Sequence, residues 1–312
     1  RSELVVPLIY KDKVIGVLDL EHTRRGFFTD DHRRTMMTLA AQVAIAIENA
    51  RLYEEIARQE RRLERDLALA RELQMRLLPQ TLPKLAHLEL AAKFSPARAI
   101  GGDLYDFIPY SLSRLGIAIG DVSGKGAPAA IYAALVSGIV RSHAPIEPGP
   151  AEMLSAVNLS LAERRIEAQF VSLIYAVWDD EHRTLLVANS GLPRPVYVHD
   201  GKYDVIEATG LPLGLFDEAE YDEFRFKMKP GDMFVFFSDG ILDARSRSGE
   251  MFGRGRVEKI IAECCGKSAD CVVDSLFKAA AEHSAGVETF DDETVVAIKV
   301  KDGAAHSPSK RK

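Results

Sequence analysis

The residues best suited to chemistry in this chain are aspartates that stand beside glycine in four short segments. The segments are IGGDLYDF at 100–107, IGDVSGKG at 119–126, FSDG at 237–240 and DDET at 291–294. Glycine permits tight turns and close backbone approach, so a neighbouring carboxylate can project into a shared cleft. Several carboxylates that converge without basic partners repel one another unless a cation neutralises them. Hard oxygen ligands of this kind favour Mg²⁺ or Mn²⁺ over zinc.

Each aspartate also has a purely structural interpretation. Asp-Gly and Gly-Asp pairs are common in turns, and any one of the four segments by itself indicates a turn. Asp106 and Asp243 are candidates for caps or for supporting residues. Other chemistries find little support, because the sequence has no C-x5-R loop and none of its eight histidines pairs with another at a metal-ligand spacing.

The order of the segments resembles a known family. GGDLYDF, GDVSGKG before an alanine-rich helix, PGDMFVFFSDGILDA and DDETVVAIKV follow one another as in the metal-dependent (PPM-type) serine/threonine protein phosphatases. The resemblance is to the bacterial branch of the stage II sporulation protein E phosphatase and the sigma-factor-regulating phosphatases, and it spans roughly residues 70–300. It implies an α/β fold, an α-β-β-α sandwich with two antiparallel sheets.

The resemblance also implies roles for individual residues. Asp121 is similar to a carboxylate that bridges two metal ions, and Asp103 and the Val122 backbone carbonyl are similar to ligands of the second ion. Asp239 and Asp291 resemble the remaining ligands of the first ion. The implied cofactors are two Mn²⁺ or Mg²⁺ ions, and Asp121, Asp239 and Asp291 are the implied catalytic carboxylates, around a water that attacks phosphorus.

Asp292 and the segment at 189–195 give less specific information about the site. Asp292 occupies a place that is often Asn or Asp in the family, and a supporting role is implied for it. The sequence has NSGLPRP at 189–195, where the family often has A-N-A-G-H-N-P. The missing histidine leaves no candidate general acid there, but neither position removes an implied metal ligand.

Upstream of these motifs, the pattern predicts a hairpin followed by a helix. Residues 4–10 and 14–20 are apolar segments on either side of a short polar turn. A helix is expected to begin near Asp31. This arrangement resembles the last third of a GAF domain, a sensor module, and the signal that such a domain would bind stays unknown.

The helical pattern continues beyond this segment. From Arg51 to Leu78 the sequence contains no Gly or Pro, and Ile56, Leu63, Ala70 and Leu77 repeat every seven positions. One interpretation is a solvated spacer helix. The sharper interpretation is a parallel coiled coil that makes the protein a homodimer and passes a signal to the catalytic domain.

The predicted organisation is a GAF segment at 1–55, a helical linker at 56–80, a phosphatase domain at 81–302 and a disordered basic tail at 303–312. Within the phosphatase domain, alternating apolar runs and helical periodicity predict the following elements. Strands are expected at 88–94, 115–120, 170–178, 184–188, 196–198, 224–228, 233–238 and 294–300, and helices at 128–142, 150–165, 256–263 and 268–283.

Composition excludes several classes of protein. A formal net charge of −6 argues against nonspecific electrostatic binding of nucleic acid. We expect no membrane span, because no apolar run approaches the roughly 20 residues that a bilayer requires. Three cysteines without metal-type spacing argue against a disulfide framework and a structural zinc site, and predict a reducing, cytoplasmic location.

The expected function is hydrolysis of phosphoserine or phosphothreonine on a regulatory protein under sensor control. By resemblance, the substrate is an anti-sigma-factor antagonist of the STAS type. The alternative is a catalytically weak signalling module that uses the phosphatase fold as a dimeric relay. Missing metal ligands would favour the alternative, and no implied ligand is missing from the sequence.

Overall fold

Residues 1–164, 166 and 168–301 are described by the computed structural model of the chain. They form two units, the first at Arg1–Leu69 and the second beginning at Ala70. The predicted tail at 303–312 lies outside the described residues.

The first unit is built from a hairpin and most of a long helix. Strands β1 (Ser2–Tyr10) and β2 (Lys13–His22) pair in antiparallel register. Lys11 and Asp12 connect them with φ values of 42° and 65°, as a two-residue hairpin turn requires. Helix α1 (Asp30–Leu77) contains 48 residues and has Asp at its first two positions, where acidic side chains favour the helix dipole.

One face of the hairpin is apolar and buried against α1. Val6 and Leu8 alternate with exposed residues along β1, as the period of a strand dictates, and they pack with Ala40 and Ala44 of the helix. The predicted hairpin and helix are therefore present.

The second unit contains ten strands and five further helices among the described residues. The strands are β3 (Leu88–Ser95), β4 (Leu104–Pro109), β5 (Arg114–Val122), β6 (Val171–Asp179), β7 (Thr184–Asn189), β8 (Val196–His199), β9 (Lys202–Val205), β10 (Phe224–Lys227), β11 (Met233–Phe237) and β12 (Glu293–Val300). The helices are α2 (Ala127–His143), α3 (Pro150–Ala162), α4 (Asp239–Asp243), α5 (Arg254–Glu263) and α6 (Ala269–His283), with a 3-10 turn at Ala144–Ile146.

The strands form two five-stranded antiparallel sheets. Their orders are β10-β7-β6-β5-β4 and β3-β12-β11-β8-β9. Helices α2 and α3 cover the first sheet and α5 and α6 cover the second, so the four layers run helix, sheet, sheet, helix. The predicted fold class is confirmed.

The alternation of side chains along each strand explains the layers. On β6, Ile174 and Trp178 face the second sheet, whereas Leu173 and Tyr175 face α2 and α3. Because both faces of the strand are covered, its sequence is an almost continuous apolar run.

Three elements were absent from the predictions. Strand β4 was missed because LYDFIP interrupts its apolar pattern with Asp106 and ends in proline. Strand β9 is a polar edge strand and α4 has only five residues, so neither has a clear periodic pattern. Helix α3 ends at Ala162 rather than 165, and position 165 lies outside the described residues.

One segment bears on the expectation that the chain has no membrane span. Among the described residues, the segment Ala127–Ile146 is long and apolar enough to cross a bilayer by length and composition. The segment is α2 and the turn after it, and Ala129, Tyr132, Val136 and Val140 pack in the core against the first sheet. A core helix passes this test by composition, so the segment is weak evidence for a membrane span.

Candidate active site

The antiparallel pairing of strands brings the four aspartate segments to one end of the sandwich. Asp103 directly precedes β4, and Asp121 lies near the end of the adjacent strand β5, where Leu104 pairs with Gly120. In the second sheet, Asp239 follows β11 and Asp291 precedes β12, where Phe237 pairs with Val295. The start of one strand is therefore beside the end of its neighbour in each sheet, and each sheet supplies two aspartates.

Glycines allow the loops that carry these aspartates to lie in contact. A Cβ on Gly101 would overlap the Asp292 carboxylate, and one on Gly240 would overlap the Asp292 backbone carbonyl. A Cβ on Gly102 would lie 2.9 Å from the Val122 carbonyl oxygen, which the resemblance assigns to a metal. A side chain at Gly101 would therefore push apart the loop before β4 and the loop before β12, which belong to different sheets.

Asp292 has a structural role that the sequence indicated only in outline. Its carboxylate accepts hydrogen bonds from the backbone amides of Ala97 (2.8 Å) and Gly102 (2.5 Å). Its backbone carbonyl accepts a bond from the Ser238 hydroxyl (3.2 Å). Asp292 therefore ties the loop before β4 to the loops before α4 and β12.

The carboxylates repel one another in a partly desolvated site. Burial and the charges of Asp239 and Asp291 raise the pKa of Asp121 to about 7. Burial, and then the charge of Asp121, also raises the pKa of Asp103 well above its ordinary value, although the Thr294 hydroxyl donates to that carboxylate at 2.6 Å. Burial and Asp291 raise the pKa of Asp239 in the same way. These groups favour the proton unless a cation replaces it.

The chemistry of this donor set fits a hard divalent cation, since it consists of carboxylate oxygens and a backbone carbonyl. Their present arrangement does not enclose one. Within residues 1–164, 166 and 168–301, no three His, Cys, Asp or Glu side chains are grouped so that they could hold a metal ion. Asp291 pairs instead with the Lys125 ammonium at 2.8 Å.

A cleft of about 330 Å³ opens beside two of the aspartates. Asp121 and Asp239 line it together with Arg194 and Arg254. The loop that carries Arg194 is shaped by Asn189, whose side-chain oxygen accepts from two backbone amides and whose amide donates to two carbonyls. The residues that replace the expected histidine motif thus form one wall of the cleft.

The end of α1 reaches the loop before Asp103. Gln74 is only 8% exposed, whereas most of α1 is open to solvent. Its side-chain amide donates to the Gly101 carbonyl (2.5 Å) and accepts from the Gly101 amide (3.1 Å). The last turns of α1 therefore hold the backbone two residues before Asp103.

Comparison with known proteins shows the family to which the chain belongs. The sequence model for stage II sporulation protein E (SpoIIE) matches residues 111–301, which is more than half of the chain. The chain belongs to the SpoIIE family. A GAF domain model matches residues 1–48, in the segment that the sequence pattern assigned to such a domain.

Two curated relatives show how much of a SpoIIE-type protein the chain represents. It is 29% identical over 263 residues to Protein IcfG of Synechocystis, covering 75% of this chain and 41% of that protein. It is 27% identical over 238 residues to the phosphoserine phosphatase RsbU of Bacillus subtilis, covering 76% of this chain and 70% of RsbU. The chain thus spans well under two thirds of IcfG.

Solved structures show the same fold. The SiaA-PP2C domain of Pseudomonas aeruginosa superposes with a TM-score of 0.70 at 19% identity, over 78% of this chain and 99% of that domain. The structure of the RsbU and RsbW domains of Rv1364c from Mycobacterium tuberculosis gives a TM-score of 0.62 at 21% identity, over 73% of this chain and 64% of that one.

Sequence reasoning missed three residues that organise this SpoIIE-type site. Gln74 stands in the predicted linker, Lys125 in one of the four aspartate segments and Asn189 in the segment at 189–195, but no role followed from their local pattern. Their contacts join segments far apart in sequence, such as the pair Gln74 and Gly101, 27 positions apart.

Proposed function

We propose that this protein is a metal-dependent phosphatase that hydrolyses phosphoserine or phosphothreonine on a regulatory protein. The observation that carries the proposal is the meeting of Asp103, Asp121, Asp239 and Asp291 from two sheets at one end of the sandwich. The raised pKa values of the first three support it, because a site that repels its own charge has a strong need for cations.

The residues of the site have distinct tasks in this proposal. Asp121, Asp239 and Asp291 would hold one divalent ion, and Asp121, Asp103 and the Val122 carbonyl would hold a second. Two such ions, Mn²⁺ or Mg²⁺, supply charge neutralisation and a water of lowered pKa for attack on phosphorus. Asp292 and Gly102 keep the loops in contact, and the cleft beside Asp121 and Asp239 admits the phosphorylated segment.

Control by the N-terminal GAF segment forms a second part of the proposal. Helix α1 is continuous from Asp30 to Leu77, and the Gln74 side chain near its end donates to the Gly101 carbonyl and accepts from the Gly101 amide. A shift of this helix end would move the loop that carries Asp103. We expect Gln74→Ala to lower phosphatase activity while the unit remains folded, as measured by near-UV circular dichroism.

The helix also supports a homodimer. Ile56, Leu63 and Leu77 are about half exposed or more, and they lie on the heptad stripe predicted from the sequence. A second copy in parallel register would cover this stripe. The relatives RsbU and RsbP of Bacillus subtilis are both named phosphoserine phosphatases, which supports phosphoserine as the group hydrolysed. The substrate in this proposal is a STAS-type anti-sigma-factor antagonist in the cytoplasm, as the resemblance of the motifs implies.

The proposal is tested by Mn²⁺-dependent release of phosphate from a phosphoserine peptide. We expect release by the unaltered chain, and loss of at least a hundredfold in both Asp121→Ala and Asp239→Ala. Asp274→Ala is the matched control, because Asp274 is a surface carboxylate that pairs with Lys93 at 3.4 Å.

The possible outcomes separate the hypotheses. Metal-dependent release that survives both substitutions would place the chemistry elsewhere. Metal binding without release, from any phosphoprotein or peptide, would favour the alternative of a weakly catalytic binding module. Absence of metal binding would contradict the assignment of the four aspartates.

A further inference from the structure

Lys125 has an unusual position at the edge of the candidate site. It stands in the loop between β5 and α2, and its side chain is 29% exposed. The ammonium lies 2.8 Å from Asp291 Oδ2 and donates to the Phe290 backbone carbonyl. It also lies 3.8 Å from the centroid of the Phe290 ring, while Arg245 approaches the same ring at 5.1 Å.

The backbone around Lys125 directs its side chain to this place. Gly124 and Gly126, on either side of it, have φ values of 92° and 74°, which other residues rarely adopt. The ring of Phe290 adds a cation–π contact below the ammonium. Lys125 is thus held by a glycine-shaped loop, a carbonyl, a carboxylate and an aromatic face.

Asp291 is the carboxylate of the cluster that this arrangement pairs with a cation. Among the ion pairs of the described residues, the pair with Lys125 is the only one that involves Asp103, Asp121, Asp239 or Asp291. The positive charge of Lys125 also counters the rise in the pKa of Asp239. Lys125 therefore offsets part of the repulsion that the four carboxylates generate.

We propose that Lys125 is a built-in counter-cation that competes with a divalent metal ion for Asp291 and so sets the metal affinity of the site. This inference rests on the proposed function. An ion that binds Asp291 has to take the carboxylate from the ammonium or share it at the cost of repulsion between two cations. Lys125 stabilises the metal-free site. Because a metal ion has to displace this interaction, the free energy of metal binding becomes less favourable by the same amount.

The inference predicts a change of unusual sign. Lys125→Met keeps the length and apolar stem of the side chain but removes its charge. We expect the metal-free protein to melt at a lower temperature, because the carboxylates lose their counter-charge. We expect Mn²⁺ to bind about tenfold more tightly, the order of magnitude for removing one unit of like charge from a partly solvated site. Damage to the site would instead weaken metal binding.

Isothermal titration of the metal-free full chain with Mn²⁺ tests the inference. Lys125→Arg retains the charge and should leave Kd within about twofold of the unaltered protein. Lys229→Met is the control, because Lys229 makes an ion pair of similar length with Asp200 (3.1 Å) in another part of the unit. Phe290→Leu removes the aromatic face and should tighten binding by a smaller factor than Lys125→Met.

Two results would overturn the inference in different ways. Equal or weaker Mn²⁺ binding by Lys125→Met, with binding by the unaltered chain intact, would overturn the counter-cation role alone. Absence of Mn²⁺ binding in every variant would overturn the metal site of the proposed function, and the counter-cation role with it.

Discussion

Replacing Asp121 by asparagine should stabilise the metal-free protein while abolishing metal-dependent activity. Burial and the charges of Asp239 and Asp291 raise the pKa of Asp121 from 3.8 to about 7. The folded state therefore holds a proton that the unfolded chain releases, and stability falls as the pH rises from about 4 to about 7. At about 1.36 kcal/mol for each pKa unit, the ionised carboxylate costs roughly 4 kcal/mol above pH 7.

Asparagine removes this charge at nearly the same size, although its amide still has to be desolvated. We therefore expect Asp121→Asn to raise the free energy of unfolding by about 2–4 kcal/mol at pH 8 in EDTA. For a unit of this size, that corresponds to a melting temperature higher by roughly 5–10 °C. The expected gain shrinks toward pH 4, where the aspartate is protonated in both states.

Thermal melts from pH 4 to pH 8, with EDTA and with Mn²⁺, test this reasoning. Mn²⁺ should raise the melting temperature of the unaltered protein and leave Asp121→Asn unchanged. The matched control is Asp274→Asn at the surface, with an expected change within about 0.5 kcal/mol. If Asp121→Asn melts at or below the unaltered protein at pH 8 in EDTA, the carboxylate cluster is not a source of repulsion and the reasoning fails.

Three further predictions concern other parts of the molecule. Affinity for Mn²⁺ should rise between pH 6 and pH 8, because Asp121, with its pKa of about 7, must release a proton when the ion binds. Calorimetry in two buffers of different ionisation enthalpy measures this proton release, and binding without proton release would contradict the prediction. Arg141→Ala should lower the free energy of unfolding by about 2–3 kcal/mol, because Asp106 is 2% exposed and would lose its bidentate partner. The loss is at the lower end for a buried charge because the arginine is half exposed, and an unchanged midpoint of urea unfolding would refute the prediction. Joint Leu63→Asp and Leu77→Asp substitution should yield monomers by analytical sedimentation, and an unchanged mass would exclude the heptad stripe as a dimer interface.

The sequence, through its resemblance to a known family, predicted the fold class and named the four aspartates that the structure brings to one end of the sandwich. Strand periodicity located most strands, because a buried face needs apolar side chains at every second position. The aspartates of GDVSGKG and SDG directly follow the strands predicted at 115–120 and 233–238, so their place near strand ends was readable from local pattern. The hairpin of the first unit was equally local, since its two-residue turn lies between apolar runs.

Local pattern failed where polar residues or short elements carry the structure. Strand β4 was missed because Asp106 is buried at 2% exposure, and the pattern could not show that Arg141 from α2 would pair with it. The apolar composition of α2 is likewise compatible with a core helix or a membrane span, and its packing against the first sheet shows that it belongs to the core.

The tertiary structure alone decided the contacts that tune the site. Lys125 and Phe290 are 165 positions apart, and Gln74 and Gly101 are 27 apart. Hydropathy and spacing describe neighbours along the chain, whereas these pairs form because two sheets and a helix end converge at one end of the sandwich. The sequence shows which carboxylates are available, whereas tertiary packing determines that Asp291 is the one that pairs with the Lys125 ammonium.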